Sequence, residues 1–270
     1  MSKFNIGDVV VRKSYNADIL FSIVDARIQD NQNIVYVLRG LNKRILADAY
    51  EKDIEHIDRK EAIRKVAEEI EIDKYIRSIK TMLNSISASR TKSIPGTVLH
   101  IDSSREFLDM CSTYYKKARI LFAGKVVRES RQPSVIRNLV YQYNPNIVVI
   151  TGHDGIKKDA DPRNMSSYAN SRYFVQSVKE ARKITSDKEK LVIFAGACQS
   201  YYEEIMAAGA NFASSPERVL INALDPAITA TKIALTSEKT FVSPAEIASI
   251  VKSGKKGIWG IETRGQMKIR

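Results

Sequence analysis

Two apolar runs constrain the fold of this chain more than any other feature: NIVVITG at 146–152 and KLVIFAG at 190–196. Each is an almost unbroken series of β-branched and aliphatic residues closed by a glycine. A strand apolar on both faces of its pleat must be covered on both, as happens in parallel sheets with helices above and below. Between the two runs lie a polar loop and an amphipathic helix over roughly residues 168–184. The same alternation starts earlier, with a strand VLHI at 98–101, a helix from Ser104 to about Lys117, a strand RILFAG at 119–124 and a helix from Pro133 to about Gln142. It continues with a short helix in YYEEIMAAGA, a fifth strand at 211–214 and a helix near 227–234. The pattern predicts a doubly wound α/β domain with a mostly parallel sheet and right-handed crossovers.

The first sixty residues read differently. DVVVR at 8–12, ILFSIVDARI at 19–28 and NIVYVLRG at 33–40 are short β-rich runs separated by the turn-forming stretches KSYNAD and QDNQN. They predict a small β-barrel or meander of SH3-like size, with Val9, Val11, Ile23, Val35 and Val37 turned inward on alternating positions. Residues Ile63, Val66, Ile70, Ile76, Ile79, Leu83 and Ile86 then recur at helical spacing, and SISASRTKSIPG at 85–96 ends in Pro95-Gly96. Three parts follow: a β module at 1–57, a helical linker at 58–92 and the α/β domain at 93–270.

Charge and cysteine content narrow the function. The net charge is +12 over 270 residues, but it is spread along the chain with no concentrated basic patch in sequence. Diffuse basicity of this kind fits solubility or weak attraction to acidic partners better than specific nucleic-acid binding. No apolar run is long enough to span a membrane. The opening MSKFNIGDVV lacks the apolar segment of a secretory signal, so a cytosolic setting is expected. Two cysteines cannot build a disulfide framework, and His56, His100 and His153 are too scattered for a metal site, so neither metal nor cofactor is expected.

In doubly wound sheets, ligands bind beyond the carboxyl ends of the strands. His153, in ITGHDG, and Cys198, in FAGACQS, both fall there. If their strands are sheet neighbours, about 4.8 Å apart, the two side chains emerge at one edge, as a Cys-His dyad requires. A helix starting near Ser200 would direct its positive end at Cys198. Gly152, Gly155, Gly196 and Ala197 leave room for a substrate backbone, and the amides of Asp154, Gly155 and Cys198 are candidate oxyanion donors. Cys111, on the apolar side of a helix, and His100, within a buried strand, read as packing residues.

A histidine after one buried strand and Ala-Cys after the next, 45 residues apart, resembles the caspase, legumain and gingipain group of cysteine peptidases. Gly196 and Ser200 depart from the caspase signature around the cysteine, and Asp154 separates His153 from Gly155. A closer resemblance covers nearly the whole chain. GDVVVRKSYNADILFSIVD, VVITGHDG, SRYFVQSVKEAR, VIFAGACQSYYEEIMAAGANFASSP and GIETRG resemble the YabG family of sporulation-specific proteases. That resemblance implies a three-layer caspase-like domain in which Cys198 is the nucleophile and His153 the general base and acid. It implies protein substrates among the spore coat or germination proteins, cleavage at arginine, and residence in the mother-cell cytoplasm or with the spore coat. An arginine pocket needs a carboxylate. Asp225 is the first candidate, Asp154 and Asp161 are alternatives, and Gln199 is expected to touch substrate. Arg131, in ESRQPS, is a candidate self-cleavage position. The competing reading is a non-catalytic scaffold or nucleic-acid-binding protein that uses the N-terminal module.

Overall fold

The computed structural model describes residues 3–28, 33–58, 60–62, 64, 77, 84 and 93–269; the apolar residues of the expected linker helix, Ile63 to Ile86, lie outside them. The first sheet consists of β1 (Val9–Arg12), β2 (Phe21–Ile28), β3 (Ile34–Gly40), β4 (Leu46–Tyr50) and β5 (Ile54–His56). All pairings are antiparallel and the order is β4-β3-β2-β1-β5. Its interior is formed by Val10, Phe21, Ile23, Tyr36 and Leu38. The expected inward Val35 and Val37 are only half-buried, one residue out of phase. NIVYVLRG is apolar on both phases of the pleat, and the larger Tyr36 and Leu38 remove more apolar surface from water. Val9 is likewise half-buried, whereas Val11 packs with Leu20 and Ala62 in a separate small cluster.

After the short β6 (Ser93–Ile94), the second sheet contains β7 (Val98–Asp102), β8 (Phe122–Val126), β9 (Ile147–Ile150), β10 (Val192–Ala195) and β11 (Phe212–Ser214). Past β12 (Phe241–Val242), an antiparallel edge strand β13 (Ile258–Gly260) completes it. The order is β13-β11-β10-β9-β7-β8, with β7 to β11 all parallel. Two small ladders finish the chain: β14 (Thr263–Arg264) pairs with β12, and β15 (Lys268–Ile269) with β6.

Seven helices are described: α1 (Arg105–Lys117), α2 (Gln132–Tyr143), α3 (Ser171–Arg182), α4 (Tyr202–Ala207), α5 (Asp225–Leu235), α6 (Pro244–Ile250) and α7 (Gly254–Gly257). The strand residues divide between two cores. Val98, Ile147, Val149, Val192 and Phe194 pack with Cys111, Tyr114 and Tyr115 of α1 and with Ile228 of α5. Leu99, Ile101, Val148, Ile150 and Ile193 pack with Ile136 of α2, Phe174 and Val178 of α3 and Ile205 of α4. This two-sided burial explains why β9 and β10 are apolar at every position. No described helix is long and apolar enough to cross a membrane.

Because β7 lies between β8 and β9, the winding reverses there, and a crevice opens beyond the carboxyl ends of β7 and β9. The connection between β3 and β4 enters that region. Lys43 forms an antiparallel bridge with Asn222, and Ile45 a parallel bridge with Asp154. The tip of a hairpin from the first sheet is thereby inserted across the strand ends of the second.

Candidate active site

His153 and Cys198 follow β9 and β10, which are hydrogen-bonded neighbours in register from Ile147 and Val192 to Ile150 and Ala195. Both side chains are buried. The turn at Cys198 is tight: Gly196 has φ +113° and Gln199 φ +56°, both left-handed. Three hydrogen bonds brace it, from the Ala197 amide to Ser200 Oγ at 2.9 Å, and from the Gln199 amide to Ser215 Oγ at 3.0 Å and the Val219 carbonyl at 3.2 Å. The helix expected near Ser200 begins at Tyr202 and is six residues long.

The His153 ring packs against Phe107, with centroids 5.3 Å apart. Its Nε2 lies 3.2 Å from the Gly40 carbonyl and its Nδ1 3.5 Å from Ser103 Oγ. A carbonyl can only accept, so Nε2 carries the proton and Nδ1 the lone pair. Ser103 gives its hydroxyl proton to Glu129, whose Oε1 also accepts the His153 amide at 2.8 Å. Gly152 makes room for that carboxylate, since a Cβ there would stand 2.5 Å from Glu129 Oε1. An open cleft of about 700 Å³ borders Ser103, Glu129 and Arg39 on this side.

Asp154 links the two loops. Its carboxylate accepts from the Gly155 amide (2.9 Å), the Asn170 amide (2.7 Å), Ser171 Oγ (2.5 Å) and Ser200 Oγ (3.0 Å). Burial nevertheless pushes its carboxyl up to about 6. Its own backbone amide, with that of Cys198, points at a single acceptor: the carbonyl oxygen of Arg44, 3.2 Å from each. The next residues of the tip continue the contact, as the Leu46 amide donates to the Asp154 carbonyl at 2.7 Å. Gly155 is required by this approach, because a Cβ there would lie 2.1 Å from the Leu46 carbonyl oxygen.

The Arg44 side chain is fully buried in a slot at the switch point. Nη1 pairs with Asp102 at the end of β7, Nη2 donates to the Ala223 carbonyl at 3.1 Å and approaches Cys111 Sγ at 3.7 Å, and the guanidinium lies 4.6 Å from the Phe107 ring centroid. Burial alone would raise the Asp102 carboxyl, but Arg44 and His100 hold it well below the usual range. Thr151 Oγ1 (2.8 Å) and the Ser104 amide (2.8 Å) also donate to it.

The carboxylates expected for an arginine pocket have other partners. Asp225 accepts from the amides of Asn222 (3.2 Å), Lys252 (2.9 Å) and Ser253 (3.1 Å), and burial pushes it up to about 6. Asp161 is on the surface, paired with Arg163 at 3.2 Å. Gln199 Oε1 accepts from the Ile156 amide at 3.3 Å. Sequence reasoning passed over Arg44, Asp102, Ser103 and Glu129. The switch-point rule locates Asp102 and Ser103 once β7 is known to be central, but no local motif marks Arg44.

With the tip in place, burial opposes ionisation of both dyad candidates. Burial pushes the Cys198 thiol up to about 12 and holds the His153 imidazole down at about 3. No hydrogen bond joins Cys198 to His153; the thiol sulfur instead accepts from the Ile221 amide at 3.3 Å. Among the described residues no group of three or more His, Cys, Asp or Glu side chains could hold a metal ion.

Comparison with known proteins covers nearly the whole chain. Residues 5–270 match the family model described as YabG peptidase U57. The chain is 35% identical over 284 aligned positions to the sporulation-specific protease YabG of Bacillus subtilis (strain 168), covering 99% of this chain and 97% of that protein. The chain belongs to the YabG peptidase family.

Proposed function

We propose that this protein is a cysteine endopeptidase of sporulation that cleaves after arginine, with Cys198 as nucleophile and His153 as general base and acid. One observation carries the reading: an arginine carbonyl lies between the amides of Cys198 and Asp154 while its guanidinium meets Asp102 in a closed slot. Two amides converging on one acyl oxygen beside a thiol form an oxyanion site, and such donors are each worth on the order of 100-fold or more in rate.

The roles follow from the geometry. Gly40 holds the Nε2 proton, which leaves Nδ1 to take the proton of the attacking thiol. Asp154 and Cys198 stabilise the oxyanion, the imidazolium returns its proton to the leaving amine, and water resolves the thioester. Asp102, with the Ala223 carbonyl and Phe107, selects arginine; Asp225 and Asp161 are left to other roles. Gly155 serves by giving the substrate backbone room, and Gln199 by bracing the loop beside it. In an open site, water returns to Cys198 and His153, and both groups regain access to their ionised forms.

We assign residues 1–57 to an SH3-like module, 58–92 to a linker and 93–270 to a caspase-like peptidase domain. Its substrates are spore coat or germination proteins, met in the mother cell or at the coat. The test is turnover of an arginine-containing peptide by wild type, Cys198→Ala and His153→Ala. Loss of at least about 1,000-fold is expected in each variant with the fold retained. Undiminished turnover by Cys198→Ala would overturn the reading.

A further inference from the structure

We propose that the Arg44–Ile45 peptide bond is a self-processing site, cut in cis by Cys198, and that the uncut hairpin tip keeps the site closed to other substrates. This rests on the cysteine-peptidase reading above and adds where, in which molecule and with what consequence the first cleavage occurs.

The tip is seated as a substrate on both sides of one bond. Before it, Lys43 runs antiparallel to Asn222; after it, Ile45 runs parallel to Asp154 and the Leu46 amide donates to the Asp154 carbonyl. The Arg44 carbonyl between them accepts from the Cys198 and Asp154 amides, both at 3.2 Å. The side chain before the bond fills the slot closed by Asp102, and the backbone after it presses on Gly155. Arg131 offers no such presentation: it closes a 3-10 turn and caps α2, with its backbone in a helical conformation.

The tip is tethered at both ends by paired strands, so it cannot dissociate as a free peptide would. While whole, it buries Cys198 and His153 and occupies the slot any other arginine would need. Cleavage is a balanced hydrolysis. The Cys198 sulfur bonds to the Arg44 carbonyl carbon, and the thiol proton passes to His153. The bond to the Ile45 nitrogen breaks as that nitrogen takes the proton. Water then splits the thioester, leaving a carboxylate at Arg44, an amine at Ile45 and the thiol restored. One tether is lost at each new end, and the tip can leave the site.

The experiment uses the full-length chain, followed by intact mass and N-terminal sequencing, with an arginine peptide assayed in parallel. Wild type is expected to yield fragments 1–44 and 45–270, the second beginning Ile-Leu-Ala, at a rate independent of protein concentration. Cys198→Ala is expected to stay whole, including when mixed with active enzyme, because its tip is shielded in its own site. Arg44→Lys, which keeps a cation beside Asp102, is expected to cut at least about tenfold more slowly. Peptide turnover should rise as the bond is cut. An intact Arg44–Ile45 bond, cutting at Arg131 instead, or efficient cutting of Cys198→Ala by added enzyme would each overturn the proposal. If peptide turnover that requires Cys198 persists in those cases, the peptidase reading stands without it; if turnover is also absent, both fall.

Discussion

Arg44 is the largest side chain the described fold buries completely, and Asp102 is the carboxylate that balances it. Removing one partner of a buried ion pair leaves an uncompensated charge, so Asp102→Asn is expected to destabilise the uncut protein by about 3–5 kcal/mol in urea denaturation. The same change is expected to lower kcat/KM for an arginine peptide by roughly 10- to 100-fold in processed enzyme, the worth of a charge-assisted hydrogen bond. Asp154 and Asp102 also respond oppositely to pH. The Asp154 carboxyl is raised by burial, so it favours the fold below its ordinary value of 3.8, and that contribution is lost as pH rises through about 6. Burial opposes ionisation of Asp102, but Arg44 prevails and holds the carboxyl low, so its contribution is present above 3.8 and lost on acidification. Asp154→Asn is therefore expected to flatten the decline in urea midpoint between pH 3.8 and about 6; an unchanged slope would refute that assignment. The placement of His153 and Cys198 past neighbouring strands was legible because each directly follows an apolar run whose type and direction the sequence determines. Asp102 was not, because its partner lies 58 residues away, at the tip of a hairpin from the other sheet.

At the scale of elements, the β3–β4 hairpin does what neither sheet does alone. Its tip supplies the Gly40 carbonyl to His153 and the Arg44 carbonyl to the amides of Asp154 and Cys198. Gly155→Ala would drive a methyl group into the Leu46 carbonyl and is expected to unseat the tip. Faster hydrogen exchange at the Leu46, Asp154 and Cys198 amides, by at least about tenfold, is the expected signature; unchanged protection would mean the tip docks without that close approach. The alternation of strands and helices was legible from two-sided burial, but strand limits and phase were less so. RILFAG pairs only from Phe122, because Arg119 turns left-handed at φ +56° and the Ile120 amide closes α1 onto Tyr115. Val35 and Val37 exchanged faces with Tyr36 and Leu38 because both phases of that run are apolar. The edge strand β13 lies in IWG, too short a run to announce itself.

Across the whole molecule, the antiparallel sheet holds part of the site that the parallel sheet builds. Cleavage at Arg44 would put β3 and β4 on separate chains, yet Val35 pairs with Tyr50, Val37 with Asp48 and Arg39 with Leu46 across that division. The two fragments are expected to co-elute in gel filtration and to separate only in denaturant; separate elution would show that the hairpin's covalent turn holds the sheet together. We propose that Cys198 performs the chemistry at an arginine-selective site. With only Cys111 and Cys198 in the chain, an arginyl chloromethyl ketone tests it directly on a preparation that is turning over an arginine peptide. Peptide mapping should place the adduct on Cys198, in proportion to lost activity, with a lysyl or uncharged analogue at least about tenfold slower. An adduct on Cys111, or full activity after complete modification of Cys198, would contradict the account.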